Sequence, residues 1–378
     1  MKFKFGIGML LSLFILIGCS SGGSGGSGGN DRSGNNESFV NHCPNNPPQI
    51  ILDNDNFDPD WLITLVAALD LDKSCIIELK GIVVNGHDLN ERAGIMYSTV
   101  LNYYEVADRI PIGVVNDRPQ RNTATDATGA APKLDSRYKD TRVNIMEFPS
   151  DGMPDYAREN ADEVLCEILD TEGNENITYI TGGHLTGLES FFETDKCQSI
   201  ELTRAKISRF VFGTGYSKEK EGLPEMNFSQ GDTSPTPASK AAINVFDTLN
   251  QLAPEIPIEF PSYHKWSFTG RPGDQYNSSH HIYSPMAFIY AVPRYGVWGD
   301  HKMGDSLAVY VGANIAQQNG LVTNKRQVCI ELNRRNAIIK INSRNVGACN
   351  HWIYDATSNT NPGLSYLLNN AVQRKREN

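Results

Sequence analysis

Short apolar runs alternate with longer helical patterns along most of this chain, and this alternation restricts the fold more than any other feature. The first apolar run, at 50–52, ends at Asp53, and a helical pattern over 61–69 follows it. Because strands that alternate with helices pair in parallel, we predict an α/β fold with a mostly parallel, doubly wound sheet flanked by helices. Further strands are predicted over 76–84, 112–115, 177–181 and 207–212, and further helices over 91–106, 154–170, 185–192 and 237–249.

The pattern changes after residue 327. Two apolar stretches, at 328–332 and 337–341, follow one another without a helical segment between them. They predict a C-terminal antiparallel hairpin. The apolar spacing over 364–372 predicts a closing helix.

The first residues have the order of a bacterial export signal. Lys2 and Lys4 precede an apolar run at 9–17 that is too short to span a bilayer, and Gly18-Cys19 follows it. A small residue before a cysteine at this place resembles a lipobox, so we expect a signal peptide over 1–19 and lipidation of Cys19. An ordinary cleaved signal with a chance cysteine is the alternative.

The next segment, 20–46, is rich in glycine, serine and other polar residues and predicts a flexible tether. The remaining residues, 47–378, contain no second linker and are expected to form one domain. Signal and tether together predict a protein anchored by lipid in the bacterial cell envelope and facing away from the cytoplasm.

Charge and cysteine content exclude some functions. The net charge of −10 argues against sequence-independent binding of nucleic acid, although an uncharged nucleoside remains compatible with it. Six cysteines follow Cys19, and none lies in a CxxC pair, so no zinc or redox site is predicted. Disulfides and buried thiols are equally compatible with their spacing, which does not reveal any pairing.

Four carboxylates follow the first predicted strand. They belong to Asp53, Asp55, Asp58 and Asp60. Close carboxylates repel one another, and a hard cation such as calcium relieves that repulsion because it binds six to eight oxygens. The spacing does not match an EF-hand, and a turn rich in aspartate and asparagine is the alternative explanation.

The acidic run resembles the opening motif of the inosine-uridine-preferring nucleoside hydrolases. Later segments resemble that family in the same order, over about 48–372 of the chain. The segments lie at 78–84, 108–115, 183–188, 225–228 and 304–310. The resemblance implies the nucleoside hydrolase fold and calcium-dependent hydrolysis of the N-glycosidic bond of ribonucleosides outside the cytoplasm.

The resemblance also implies roles for individual residues. One calcium ion would be held by Asp55, Asp60, the backbone carbonyl of Thr186 and Asp305, with Asp53 as an outer support. Asp55 would remove a proton from the attacking water. Glu225 and Asn227 would bind the hydroxyls of the sugar.

Three positions depart from the family pattern. Pro59 replaces an aspartate that binds ribose, so Asp58 is the candidate substitute. Asp88 stands where the family has an asparagine that contacts ribose. Gly304 replaces a histidine that protonates the leaving base in parts of the family, which makes His301 the candidate proton donor.

These departures favour an alternative function. A protein that keeps the calcium site but has lost turnover would be a surface lipoprotein that binds a nucleoside or another furanoside. In either case the partner is a small molecule, and a homo-oligomer is compatible with the resemblance. His184, beside the predicted helix at 185–192, is expected to be a surface or capping residue.

Overall fold

The fold is seen in a computed structural model. The residues described are 43, 45–55, 60–85, 90–115, 159–171, 173–213, 226–229, 233–261, 269–270, 301–302, 304–342, 347 and 349–374. The predicted signal, Cys19 and nearly all of the predicted tether lie outside these residues. Among the described residues, no helix has the length and apolar character needed to cross a membrane.

In the described part of the chain, nine strands form the central sheet, and four more form two short antiparallel pairs. In chain order the strands are β1 Gln49–Asn54, β2 Glu78–Val84, β3 Ile112–Val114, β4 Glu159–Asn160, β5 Ile177–Thr181, β6 Ile207–Phe212, β7 Ile258–Pro261, β8 Thr269–Gly270, β9 His301–Lys302, β10 Arg326–Val328, β11 Ile330–Leu332, β12 Ile339–Ile341 and β13 His351–Tyr354. The order in the sheet is β10-β13-β7-β6-β5-β1-β2-β3-β4. All neighbours pair in parallel except β10 and β13, so the predicted mostly parallel sheet is confirmed.

The order of the strands makes the sheet doubly wound. The chain runs outward from β1 through β2 and β3 to β4, then returns to the other side of β1 and continues through β5, β6 and β7. The direction of winding therefore reverses between β1 and β5. In open parallel sheets the crevice beyond the carboxyl ends of two such strands is the usual ligand site.

Nine helices are described around the sheet. They are α1 Asp60–Lys73, α2 Asn90–Tyr103, α3 Ala161–Asp170, α4 Thr186–Glu193, α5 Ser199–Lys206, α6 Met226–Ser229, α7 Pro237–Leu252, α8 Gly304–Gly312 and α9 Thr360–Arg374. Helix α1 packs on α8 and α9, whereas α4 packs on α3 and α7.

Two apolar cores lie on opposite faces of the sheet. Because side chains alternate along a strand, Ile50 and Leu52 of β1 join the core with α1 and α8, and Ile51 joins the core with α3 and α4. Both faces of β1 are buried, as expected for a central parallel strand.

The predicted C-terminal hairpin is confirmed. Strands β11 and β12 pair antiparallel, with Ile330 opposite Ile341 and Leu332 opposite Ile339. The predicted closing helix corresponds to α9.

One predicted boundary is wrong. A helix was expected from residue 154, but Glu159 and Asn160 form strand β4, paired with Gly113 and Val114, and α3 begins at Ala161. The sequence also does not predict β7 and β13. A fully buried carboxylate, Glu259, interrupts the apolar pattern of β7 and is satisfied by long-range partners. These partners are Arg209 at 3.1 Å, Lys325 at 2.7 Å and the hydroxyl of Tyr354 at 3.0 Å.

All six cysteines after Cys19 form disulfides. The pairs are Cys43–Cys75, Cys166–Cys197 and Cys329–Cys349, with Cα atoms 5.5, 5.9 and 5.2 Å apart. These separations fit disulfide geometry. The first bridge fastens the segment before β1 to the turn that joins α1 to β2.

Candidate active site

Oxygen-rich side chains converge where β1 and β5 end, at the point where the winding of the sheet reverses. The turn Gly182-Gly183 follows β5 and lies at their centre, and the amide of Gly182 donates to the carbonyl of Asp53 at 2.7 Å. A Cβ atom added to Gly182 would lie 2.7 Å from Cγ of Asp305 and 2.8 Å from Oδ1 of Asn54. The absence of side chains on this turn therefore lets these groups approach one another.

Asp53 is fully buried and holds the base of this site. Its two carboxylate oxygens accept hydrogen bonds from Asn85 Nδ2 and from the hydroxyl of Tyr179, the latter at 2.7 Å. Burial raises the pKa of Asp53 to about 8, against these two hydrogen bonds, which favour the charged form. Burial also raises the pKa of Tyr179 well above its ordinary value, so that its phenol remains a donor.

Asn85 joins three elements of the site. Besides donating to Asp53, its Oδ1 accepts from Oγ1 of Thr186 at 2.7 Å and from the amide of Gly187 at 3.0 Å. Asn85 follows β2, Asp53 lies in β1, and Thr186 begins α4. One fully buried carboxamide thus fixes the start of α4 against the ends of both strands.

Asp55 is the first residue after β1 and is almost completely buried. Its carbonyl accepts from the hydroxyl of Tyr97 in α2 at 2.6 Å. The ring of Tyr97 packs on Trp61, with centroids 4.8 Å apart. The backbone of Asp55 is therefore tied to α2 at the point where the chain leaves the sheet.

Asp305 reaches the same place from a distant part of the sequence. It is the second residue of α8, is largely buried, and its Oδ1 lies 3.3 Å from where a Cβ on Gly213 would be. The neighbouring Ser306 shares a buried hydrogen bond of 3.1 Å with Thr64 of α1. This bond ties the helix that carries Asp305 to the helix that begins at Asp60.

The residues present fit a hard cation. Asp55 and Asp305 are buried carboxylates beside the same turn: a Cβ on Gly183 would lie 3.1 Å from the backbone nitrogen of Asp55, and one on Gly182 would lie 2.7 Å from Cγ of Asp305. Oxygen donors of this kind suit calcium or magnesium rather than a softer metal. The described residues that would hold such an ion are Asp55, Asp305 and, through its carbonyl, Thr186.

The other predicted site residues fall into two groups. Asn227, in α6, lies at the site, where its Nδ2 donates to the carbonyl of Gly182 at 3.0 Å. Asp60 begins α1 and His301 lies in β9, but their side chains are outside the description. Asp58, Asp88 and Glu225 also lie outside the described residues.

Four residues at the site carry no signal in one sequence that would single them out. They are Asn54, Asn85, Tyr97 and Tyr179. Each is polar, fully buried and bonded to a residue of another element. A polar residue directly after a predicted strand, such as Asn85, is the one available hint.

The expectation for His184 is wrong. Its side chain is fully buried between β5 and α4, rather than exposed at a helix end. The turn beside it lies inside the site, where the amide of Gly182 donates to the carbonyl of Asp53 and the side chain of Asn227 donates to the carbonyl of Gly182.

A second group of potential metal ligands, Cys329, Cys349 and His351, lies elsewhere. The cysteines form a disulfide, and both ring nitrogens of His351 have partners. Nδ1 accepts from the amide of Ile330, and Nε2 lies 3.0 Å from Oδ1 of Asn250. Burial lowers the pKa of His351 to about 4. This group is therefore structural.

The chain has a nucleoside hydrolase-like fold, with a doubly wound sheet, flanking helices and a candidate site where the winding of the sheet reverses. The inosine-uridine-preferring nucleoside hydrolase from Bacillus anthracis matches with a TM-score of 0.55 at 16% identity, covering 85% of this chain and 99% of that one. The purine-preferring ribonucleoside hydrolase from Gardnerella vaginalis matches with a TM-score of 0.58 at 15% identity, covering 85% and 99%. A type III effector protein, XopQ, complexed with adenosine diphosphate ribose, matches with a TM-score of 0.52 at 16% identity, covering 87% and 96%.

Comparison at the level of sequence gives no match. No family model matches the chain, and no curated protein matches it at a significant level.

Proposed function

We propose that this protein hydrolyses the N-glycosidic bond of ribonucleosides with the help of calcium. The observation that carries the proposal is that Asp55 and Asp305 both lie beside the Gly182-Gly183 turn, with Thr186 bonded to Asn85, which also contacts Asp53. The three residues are far apart in sequence, and the resemblance to nucleoside hydrolases assigns all three to one calcium ion.

The buried site suits the chemistry of this reaction. When bound, calcium would supply a Lewis acid that lowers the pKa of a water and holds hydroxyls of the sugar. Asp55 would accept the proton of the water that attacks C1′, while the electron pair of the C1′–N bond leaves with the base. The carboxylates would stabilise positive charge that develops on the sugar ring in a site largely shielded from solvent.

Two further side chains would prepare the site. Asn227, fixed by its bond to Gly182, would present its carboxamide oxygen to a sugar hydroxyl. The departing base requires a proton, and His301, three residues before Gly304, is the candidate donor. Asp58, Asp88 and Glu225 are the remaining candidates for contact with the sugar.

A binding protein for nucleosides or related furanosides is the second candidate. It is favoured by Gly304, which directly precedes Asp305 at the start of α8 and provides no proton donor. Pro59 likewise provides no oxygen for ribose. Both replacements would leave a calcium site and sugar contacts in place while slowing turnover.

We further propose that the protein is anchored by lipid at Cys19 in the bacterial cell envelope. Three disulfides support an oxidising compartment outside the cytoplasm. The bridge between Cys43 and Cys75 lies at the amino ends of β1 and β2, whereas the candidate site lies at their carboxyl ends.

The test uses the protein without residues 1–37, which leaves the compact unit Ser38–Asn378, and a panel of purine and pyrimidine ribonucleosides. Released reducing sugar is measured with calcium and after chelation, and calorimetry measures binding of the same nucleosides. Calcium-dependent release supports hydrolysis. Binding without release by the calcium-loaded protein supports the second candidate, and neither binding nor release contradicts both.

A matched pair of variants ties the activity to the site. Asp305→Asn should lower kcat/KM by about 10²-fold or more, because it removes the negative charge of a proposed metal ligand. Asp355→Asn, which removes only a carboxylate in an exposed ion pair with Arg326, should leave activity unchanged. If the two variants are equally active, Asp305 has no role in catalysis.

A further inference from the structure

Asn54 is the last residue of β1, and its side chain points to the opposite face of the sheet from that of Asp53. Its Nδ2 donates to the carbonyl of Trp61 in α1 at 3.2 Å. This bond fixes which end of the carboxamide is nitrogen, because an oxygen in that position would face a carbonyl oxygen. The oxygen of Asn54 must therefore point the other way, toward the Gly182 turn.

That oxygen has no hydrogen-bond donor in the described part of the chain, although the residue is fully buried. Asp305 lies near this oxygen. Oδ1 of Asn54 lies 2.8 Å, and Cγ of Asp305 2.7 Å, from the point where a Cβ of Gly182 would be. An amide oxygen and a carboxylate thus approach the same position, and neither can donate a hydrogen bond to the other when Asp305 is charged.

A buried acceptor without a donor is unfavourable, and placing it beside a carboxylate adds repulsion between two partial or full negative charges. A cation between them would remove both costs. Amide oxygens are ordinary ligands of calcium, together with carboxylates and backbone carbonyls.

We propose that the side-chain oxygen of Asn54 is a direct ligand of the cation that Asp305 binds. This inference rests on the proposed calcium site and adds to it a neutral ligand, supplied by the strand rather than by the acidic loop after it. It would keep the ion bound at the rear of the site, next to α1 and α8.

The experiment measures calcium affinity by titration calorimetry with calcium chloride alone, and the melting temperature with calcium or chelator. The variant is Asn54→Leu, which keeps the branched shape of the side chain, is larger, and removes the oxygen; the control carries the same increase in size. The control is Asn174→Leu. Asn174 is also buried, but it precedes β5, at the amino end of the strand and away from the site, and it donates to the carbonyl of Ile168. A second variant, Asn54→Asp, keeps an oxygen at the site.

We expect Asn54→Leu to weaken calcium binding by about tenfold or more and to reduce the gain in melting temperature on adding calcium. Asn174→Leu should leave the affinity unchanged. Asn54→Asp should bind calcium at least as tightly as the wild type, which keeps the test informative if the leucine variant does not fold.

Two results would overturn the inference. If Asn54→Leu binds calcium as tightly as the wild type, the oxygen faces a water molecule, although the proposed calcium site stands. If the wild type does not bind calcium, the ligand role of Asn54 fails together with the calcium site. Release of sugar in the presence of chelator then shows separately whether nucleoside hydrolysis survives.

Discussion

Replacing Asn85 by alanine should destabilise the protein strongly, because three groups of other residues depend on its side chain. The carboxylate of Asp53 loses a donor, while the hydroxyl of Thr186 and the amide of Gly187 lose their acceptor. A buried polar group left without a partner costs about 1–3 kcal/mol. We therefore expect the free energy of unfolding to fall by about 3–6 kcal/mol, a large part of the roughly 5–15 kcal/mol of an ordinary domain.

Asn174 provides the matched control. It is buried to a similar extent, and its Nδ2 donates a single hydrogen bond of 2.7 Å to the carbonyl of Ile168. Asn174→Ala creates the same cavity but orphans one group, so we expect a loss of about 1–2 kcal/mol. The measurement is equilibrium unfolding in urea with the disulfides intact, followed by far-ultraviolet circular dichroism.

Equal losses for the two alanine variants would refute the view that Asn85 joins three elements. Asn85→Asp separates the two kinds of bond, since it keeps the acceptors for Thr186 and Gly187 but places a second carboxylate beside Asp53. Its stability relative to the wild type should improve as the pH falls and one of the two carboxylates binds a proton.

Three further predictions concern other parts of the chain. Burial lowers the pKa of His351 to about 4 in the folded protein, so the stability it contributes is present above about pH 6.5 and is lost as the pH falls toward 4. Between pH 7 and 5, the free energy of unfolding in urea should fall by about 2 kcal/mol more for the wild type than for His351→Gln. Parallel curves of unfolding free energy against pH would contradict this. Cys19→Ser should move the protein from the membrane fraction to the soluble fraction once its signal is cleaved, and continued attachment of the cleaved protein would exclude the lipid anchor. His301→Ala should lower turnover of nucleosides by about 10²-fold but barely affect a p-nitrophenyl riboside, whose leaving group needs no proton; equal losses would assign His301 to folding or binding.

The fold could be predicted because its signal is local. Strands such as β5 and β6 are short stretches in which apolar residues predominate, and both were predicted with the observed bounds. Strand β7 escapes prediction because its Glu259 is satisfied by Arg209 and Lys325, which lie far away in sequence. The predicted helix start at residue 154 is wrong for a related reason. Glu159 and Asn160 pair with Gly113 and Val114 of β3, so their backbone is extended and not helical.

The site was only partly predictable. Charged residues such as Asp55 and Asp305 are conspicuous in the sequence, and the family resemblance suggests that they meet. Neutral partners are not conspicuous, because an asparagine or tyrosine has no special role until the fold fixes what it contacts. Asn85 acquires its role from Asp53 and Thr186, which lie 32 and 101 residues away.

The alternation of side chains along β1 divides the acidic stretch into parts with different functions. Asp53 points toward Asn85 and Tyr179, where two donors satisfy its carboxylate and burial raises its pKa to about 8. Asn54, the next residue, points toward α1 and the carboxylate of Asp305, where its oxygen lacks a donor among the described residues. On one face of the sheet, the acidic stretch therefore contributes Asp53, whose two carboxylate oxygens both accept hydrogen bonds from the protein. On the other face it leaves the side-chain oxygen of Asn54 near Asp305 without a donor among the described residues, and a cation bound there would satisfy it.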